Sequence, residues 1–203
     1  MTTDWLIDEL RRSAPPVGPL PDVADAAAEA GLLDVAYRTL SSPVGELLLA
    51  ATEAGLVQVA YLDPVQIDGV LARLAERVSP RVLAMSRRLD AAQRELDEYF
   101  TGRRRRFELG LDRRLMSAFG RRVLGAAAAI PYGSVSTYAA VAAAAGSPRG
   151  ARAAGNALGA NPLPIVLPCH RVLRAGGDLG GYTGGVERKR TLLAIEQGEA
   201  PAA

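Results

Sequence analysis

Two β-rich runs, residues 44–51 and 56–61, are dense in Val, Leu and Ala and are separated by Thr52-Glu53-Ala54-Gly55. Such runs joined by a short, glycine-containing segment predict a β-hairpin. The period then changes. Residues 65–78 and 89–100 carry apolar positions at helical spacing, which predicts two helices. A run of four arginines at 103–106 leads into a short apolar stretch, 107–111. With strand-like text beginning near Leu33, residues 33–111 read as a small α/β domain with an antiparallel sheet.

Beyond Arg113 the spacing is mostly helical. Residues 119–130 predict one helix, stopped by Pro131-Tyr132-Gly133. Ser136 is the expected N-cap of a helix over 137–145 that Gly146 ends. Ser147 is expected to cap another, with Pro148 at its first position, where the missing N–H costs nothing. That helix runs to about Leu158, and Gly159-Ala160-Asn161-Pro162 ends it. Two short helices about a glycine-containing turn match a helix-turn-helix, a pattern also found in helix pairs that bind nothing. Residues 112–203 therefore read as a mostly α-helical C-terminal domain with a helix-turn-helix. Residues 1–32 read as an N-terminal extension. Trp5, Leu6, Ile7 and Leu10 there suit one short amphipathic helix, and Ala14-Pro15-Pro16-Val17-Gly18-Pro19 cannot stay helical.

Composition narrows the function classes. In a chain of 203 residues there is room for one sizeable domain or two small ones. No apolar run approaches the roughly 18 residues of a membrane span. The start, Met1-Thr2-Thr3-Asp4-Trp5, lacks the basic and apolar parts of a signal peptide. The expectation is a cytoplasmic protein with no membrane partner. One cysteine excludes an intramolecular disulfide, and with one histidine it offers too few soft ligands for zinc. No acidic cluster has metal-binding spacing, so no metal is expected. Charge is lopsided: residues 1–100 hold 9 Lys+Arg against 16 Asp+Glu, a balance of −7. Residues 101–203 hold 15 against 6, a balance of +9. A basic half suggests a polyanionic partner, the alternative being a solvated basic face. The same two readings apply to the arginines at 103–106.

The only cysteine and the only histidine are adjacent, in Pro164-Ile165-Val166-Leu167-Pro168-Cys169-His170-Arg171-Val172. A lone cysteine in an apolar run is usually inert core. Here prolines fix the approach, and His170 and Arg171 are not core-strand residues. A free thiol is only a few per cent thiolate at pH 7, so a nucleophilic cysteine needs a base nearby, itself oriented by a third group. His170 can be that base, and Glu196 is a candidate orienting group. Alone this says reactive cysteine and leaves the substrate open. The stretch Gly176-Gly177-Asp178-Leu179-Gly180-Gly181-Tyr182-Thr183-Gly184-Gly185 has no phosphate-cradle pattern. It reads either as a flexible loop or as a pocket wall where backbone approaches a flat ligand and Tyr182 stacks on it.

The segment from Asn161 through the Pro-Cys-His-Arg run, with Gly181-Tyr182-Thr183-Gly184-Gly185 behind it, resembles the O6-alkylguanine-DNA alkyltransferase family. Ile130-Pro131-Tyr132-Gly133 with Thr137-Tyr138, and the helix around Arg149 to Gly155, resemble it too. The likeness is dense over residues 115–197 and fainter over 33–111, where it implies a ribonuclease-H-like fold. The resemblance implies single-turnover DNA repair without a cofactor, acting on double-stranded DNA containing alkylated bases as a monomer. Cys169 would accept the alkyl group, His170 would act through a water as its base, Glu196 would orient His170, and Asn161 would brace the turn. Arg152 would fill the gap left by a flipped base, and Tyr138 would displace the 3′ phosphate and assist the leaving guanine. Ala151 and Gly155 would let this helix approach a narrow groove. Tyr182, Thr183 and the backbone around Val172 would hold the base. O4-alkylthymine is a second substrate class the resemblance allows. Thr183 replaces a more usual Ser or Ala, Met116-Ser117-Ala118-Phe119-Gly120 replaces a Thr-Pro-Phe-Gln kind of segment, and Leu124 stands where Trp is common.

Three rivals make different predictions. A recognition protein that marks lesions without transfer would be indifferent to loss of Cys169. A cysteine hydrolase would turn over repeatedly. A helix-turn-helix transcription factor would bind undamaged DNA by sequence and leaves the Cys-His pair unexplained.

Overall fold

The computed structural model describes residues 23–62, 67–85 and 87–199. The helix expected around Trp5, Leu6, Ile7 and Leu10 and the proline-rich loop after it lie outside these residues, as do Val65 and Gln66 at the start of the first predicted helix. Helix α1 (Val23–Glu29) leads into a sheet of β1 (Val35–Leu40), β2 (Leu47–Thr52), β3 (Gly55–Tyr61) and β4 (Val82–Ala84). Their order is β3-β2-β1-β4. The predicted hairpin joins β2 to β3, with Leu47 opposite Tyr61 and Thr52 opposite Gly55. Gly55 is obligatory there: its φ is +128°, and a Cβ would come within 2.2 Å of the Gly110 carbonyl oxygen.

Strand β2 is buried on both faces, which explains why Leu47-Leu48-Leu49-Ala50 reads as a continuous apolar run and not as an alternation. Leu47 and Leu49 face one core with Leu89, Leu96 and Tyr99. Leu48 and Ala50 face a second with Val70 and Leu74 of α2 (Ile67–Arg77). The sheet is mixed: three strands form the expected antiparallel meander, and β4 adds to β1 in parallel, with Val35 opposite Val82. The cause is α2, which carries the chain from one sheet edge to the other, as a parallel return requires. Helix α3 (Asp90–Phe100) follows.

The helical half holds α4 (Ala118–Ala128), β5 (Ser136–Thr137), α5 (Tyr138–Ala144), α6 (Ala151–Gly159), β6 (Val172–Leu173) and α7 (Val186–Gln197). Two cap predictions are corrected. Thr137, not Ser136, caps α5: the helix starts at Tyr138, one residue later than expected, so the extended residue next to it is Thr137, whose hydroxyl accepts from the Ala140 N–H at 3.2 Å. Ser147 and Pro148 do not start α6. They form a separate tight turn, closed by the Gly150 N–H on the Ser147 carbonyl at 2.8 Å, and α6 begins at Ala151 with Gly150 as its N-cap.

One hydrophobic core runs from Leu49 and Tyr99 through Val123 and Leu158 to Ile195. Backbone stitches the halves as well. The Val59 N–H donates to the Pro162 carbonyl at 2.8 Å, and Leu56 exchanges hydrogen bonds with Gly110 and Asp112. The free edge of β3 is thereby covered. Among the described residues no helix is long and apolar enough to cross a membrane.

Candidate active site

Leaving α6, the chain turns sharply through residues 161–168, and Asn161 organises the turn. Its Oδ1 accepts from the Leu163 N–H at 2.9 Å, and its Nδ2 donates to the Leu167 carbonyl at 2.8 Å and to Cys169 Sγ at 3.2 Å. Ile165 sits at φ +71°, the one non-glycine with positive φ among the described residues. A β-branched residue there is strained, and burial of its side chain in the core holds it. The turn delivers a short helical segment, Cys169–Arg171, whose three side chains are all buried.

Glu196, on α7, gathers this segment. His170 Nε2 lies 2.8 Å from its Oε1, the Tyr99 hydroxyl donates to the same oxygen at 2.8 Å, and the Gly133 N–H donates to Oε2 at 3.0 Å. Arg171 donates to both oxygens through Nε and again to Oε1 through Nη2 at 2.9 Å, and its Nη1 donates to the Ile130 carbonyl at 2.7 Å. Burial alone would raise the Glu196 pKa, but the hydrogen bonds from His170 and Arg171 and the Arg171 charge win and hold it at about 2. Glu196 is therefore an acceptor, so His170 Nε2 carries the proton and Nδ1 keeps a lone pair. Burial also lowers the His170 pKa despite Glu196, which keeps the ring neutral. Nδ1 is the one buried side-chain nitrogen or oxygen without a partner among the described residues. Burial raises the Cys169 pKa, opposed first by the Asn161 hydrogen bond and then by the Lys189 charge. The sulfur is thus a thiol at rest, beside a neutral base.

Cys169 lies in the floor of a cleft of about 620 Å³, lined also by Tyr138, Ala151, Arg152, Gly155, Tyr182 and Thr183. Seven of the eleven predicted site residues therefore meet in one cleft. Asn161, His170 and Glu196 stand behind Cys169, out of the lining. Val172 is fully buried outside it, its carbonyl accepting from Lys189 Nζ at 2.6 Å. Arg152 is exposed. Gly155 lies against the Tyr138 ring, where a Cβ would sit 3.7 Å from it. The Thr183 hydroxyl donates to the Gly159 carbonyl at 2.7 Å, tying the glycine-rich loop to the end of α6. Sequence reasoning missed Tyr99, Lys189 and Arg174, the last of which also lines the cleft. It noted Arg171 without its role. A lysine seven residues before Glu196, two turns along one helical face, was the signal available for Lys189.

The arginines at 103–106 do not form a free stripe. Arg104 pairs with Glu98 at 2.8 Å and Glu95 at 3.5 Å, and Arg105 lies over the Tyr132 ring. Among the described residues no cluster of His, Cys, Asp and Glu is fit to hold a metal ion.

Two family models match the chain. Residues 35–113 match the ribonuclease-like domain of 6-O-methylguanine DNA methyltransferase, and residues 118–198 match its DNA binding domain. A methylated-DNA–protein-cysteine methyltransferase of Mycolicibacterium paratuberculosis is 41% identical over 168 residues, 83% of this chain and 96% of that one. The constitutive enzyme of Bacillus subtilis is 37% identical, covering 79% and 94%. The crystal structure of Mycobacterium tuberculosis OGT in complex with DNA superposes with a TM-score of 0.70 at 38% identity, over 82% of this chain and 96% of that one. On the cleft, its buried Cys-His-Glu assembly and these likenesses together, the chain belongs to the 6-O-methylguanine DNA methyltransferase family.

Proposed function

We infer that this chain repairs DNA by direct reversal, moving an alkyl group from O6-alkylguanine in the duplex onto Cys169. The observation that carries this is the single cysteine in a cleft wide enough for a base, with Asn161 on its sulfur and an unpartnered neutral histidine nitrogen behind it. The Cys169 proton passes through a water to His170 Nδ1 as the sulfur attacks the alkyl carbon in line. The new S–C bond forms while the C–O6 bond breaks, and guanine leaves with the electron pair and takes up a proton. Glu196, already charged, steadies the imidazolium this creates. The thioether has no route back to a thiol, so each molecule acts once.

A stacked base must first be extruded, at a cost of a few kcal/mol. Arg152, exposed at the mouth of the cleft and without a hydrogen-bond or ion-pair partner among the described residues, suits the role of filling the gap. Tyr138 beside it suits the displaced phosphate and the leaving guanine. The small side chains at Ala151 and Gly155 keep α6 slim enough for a narrow groove. Tyr182 stacks on the base and Thr183 bounds the pocket. We extend the proposal to O4-alkylthymine, the second substrate class that the family resemblance allows, and to action as a monomer.

Intact mass after incubation with a duplex containing one O6-methylguanine tests this. A gain of one methyl per protein on the Cys169 peptide, absent in Cys169→Ala, is the expected result. Lesion binding without mass gain would replace it with a recognition-only role, and continued release of product beyond one equivalent would replace it with a hydrolase.

A further inference from the structure

The charged residues that line the cleft are two arginines, Arg152 on α6 and Arg174, which directly follows β6. Both are exposed, Arg174 with 63% of its side-chain surface open. Its backbone is fixed nonetheless: the Arg174 N–H donates to the Asp178 carbonyl at 2.8 Å, and its carbonyl accepts from the Gly177 N–H at 3.1 Å. The side chain is held at one nitrogen. Nη1 donates to Asp178 Oδ2 at 3.2 Å, and Oδ1 accepts from the Gly180 N–H at 3.1 Å, which keeps the carboxylate in place. Nε and Nη2 have no hydrogen-bond partner among the described residues. They form the edge through which a guanidinium holds a phosphate by two parallel bonds. That edge has a defined neighbour. A Cβ on Gly180 would lie 3.4 Å from Arg174 Nε and 3.3 Å from the Tyr138 hydroxyl. The free edge and the phenol therefore border the same small gap, which the missing side chain of Gly180 keeps open.

We propose that Arg174 is a DNA contact: its Nε–Nη2 edge binds, beside the Tyr138 hydroxyl, the backbone phosphate that base extrusion displaces. The proposal rests on the base-flipping reading above and gives that phosphate a cationic partner. A phenol offers one neutral donor and cannot balance the phosphate charge, whereas a guanidinium brings the charge and two aligned donors. Arg152 is committed to the gap in the stack, which leaves Arg174 as the charged group of the cleft free for this task. Asp178 need not leave for the phosphate to bind. It holds Nη1 alone, and so aims the guanidinium with its other edge toward Tyr138. An ion pair between two exposed side chains contributes little, so the carboxylate orients Arg174 without withdrawing it from DNA. Contacts of this kind fix register and carry no base information, as a repair protein that must work in any sequence requires.

Binding can be measured apart from transfer in the Cys169→Ala protein, which has no thiol to accept a methyl group. Its affinity for a duplex with one O6-methylguanine is followed against salt concentration, beside the same duplex without the lesion. Adding Arg174→Ala should weaken lesion binding about tenfold, the loss of one charge-assisted hydrogen-bonded contact. The slope of log K against log salt should become shallower by about one. Undamaged duplex, whose phosphate is not displaced, should lose less. Arg174→Lys should keep the slope and recover part of the affinity, since it restores the charge without the fork. In a Tyr138→Phe background the Arg174→Ala loss should shrink, because the two groups share one phosphate. Arg190→Ala removes an exposed arginine of α7 that does not line the cleft, and should change neither affinity nor slope. An unmoved slope in Arg174→Ala, an equal drop in Arg190→Ala, or equal losses on the two duplexes would overturn the proposal. Wild type that gains no methyl, with lesion binding still dependent on Arg174, would uphold the contact and strike at the transfer reaction instead.

Discussion

Glu196 accepts from His170, Arg171, Tyr99 and the Gly133 backbone, and its side chain is fully shielded from solvent. That makes it a stability switch as well as an orienting group. Its pKa falls from 4.5 to about 2 on folding, so the native state holds a charge the unfolded chain gives up earlier. The stabilisation is complete above pH 4.5 and is lost as pH falls through about 2; it amounts to about 3 kcal/mol. His170 acts in the same direction, since burial lowers its pKa below 6.5 and the folded protein resists its protonation. Stability measured by urea denaturation should therefore fall below pH 6.5 and fall further between 4.5 and 2. Glu196→Gln leaves the buried Arg171 guanidinium without a counter-charge, which should cost about 3–5 kcal/mol at pH 7. It should also flatten the lower part of the profile. A variant that kept the full decline between pH 4.5 and 2 would show that other carboxylates carry it.

At the scale of elements the working unit is α6 with the turn after it. Ala154 and Leu158 bury one face of the helix in the core, which leaves Arg152 to project from the other. A side chain that replaces a flipped base matters only when the base is stacked. Arg152→Ala should slow methyl transfer from duplex DNA by about 10–100-fold, the rate equivalent of losing part of the flipping cost. Transfer from free O6-alkylguanine base should be unchanged, and an equal loss on both substrates would remove the finger role. The helix pair and the Cys169 turn were legible in the sequence because their contacts are local: Asn161 reaches Leu163, Leu167 and Cys169 across at most eight residues. Contacts across the chain were not. Tyr99 meets Glu196 over 97 positions and Tyr61 meets Tyr182 over 121, and no spacing rule links such pairs. Strand β4 escaped for another reason. Three residues, Val82–Ala84, carry too little alternation to announce a strand, and parallel pairing with β1 depends on where α2 sets them down.

Across the whole molecule the sheet and the helical half share one core, and this bears on how the protein unfolds. Leu49 on β2, Tyr99 on α3, Leu124 on α4, Leu163 in the active-site turn and Ile195 on α7 belong to a single buried cluster. The seam is polar as well as apolar: Thr52 donates to Asp112 at 2.6 Å, Arg188 reaches Val44, and Tyr99 closes on Glu196. Neither half can open without exposing apolar surface of the other and unpairing buried groups, which costs more than separate melting returns. Calorimetry should therefore show one transition, with calorimetric and van't Hoff enthalpies equal. Leu49→Ala, in the middle of the sheet, should lower stability by about 2–5 kcal/mol. It should raise hydrogen exchange in α7 as much as in β2. Two resolved transitions, or exchange confined to the sheet, would mean that the acceptor site stands without its N-terminal half, and that Tyr61 and Tyr99 are reached by a rigid neighbour and not by a shared core.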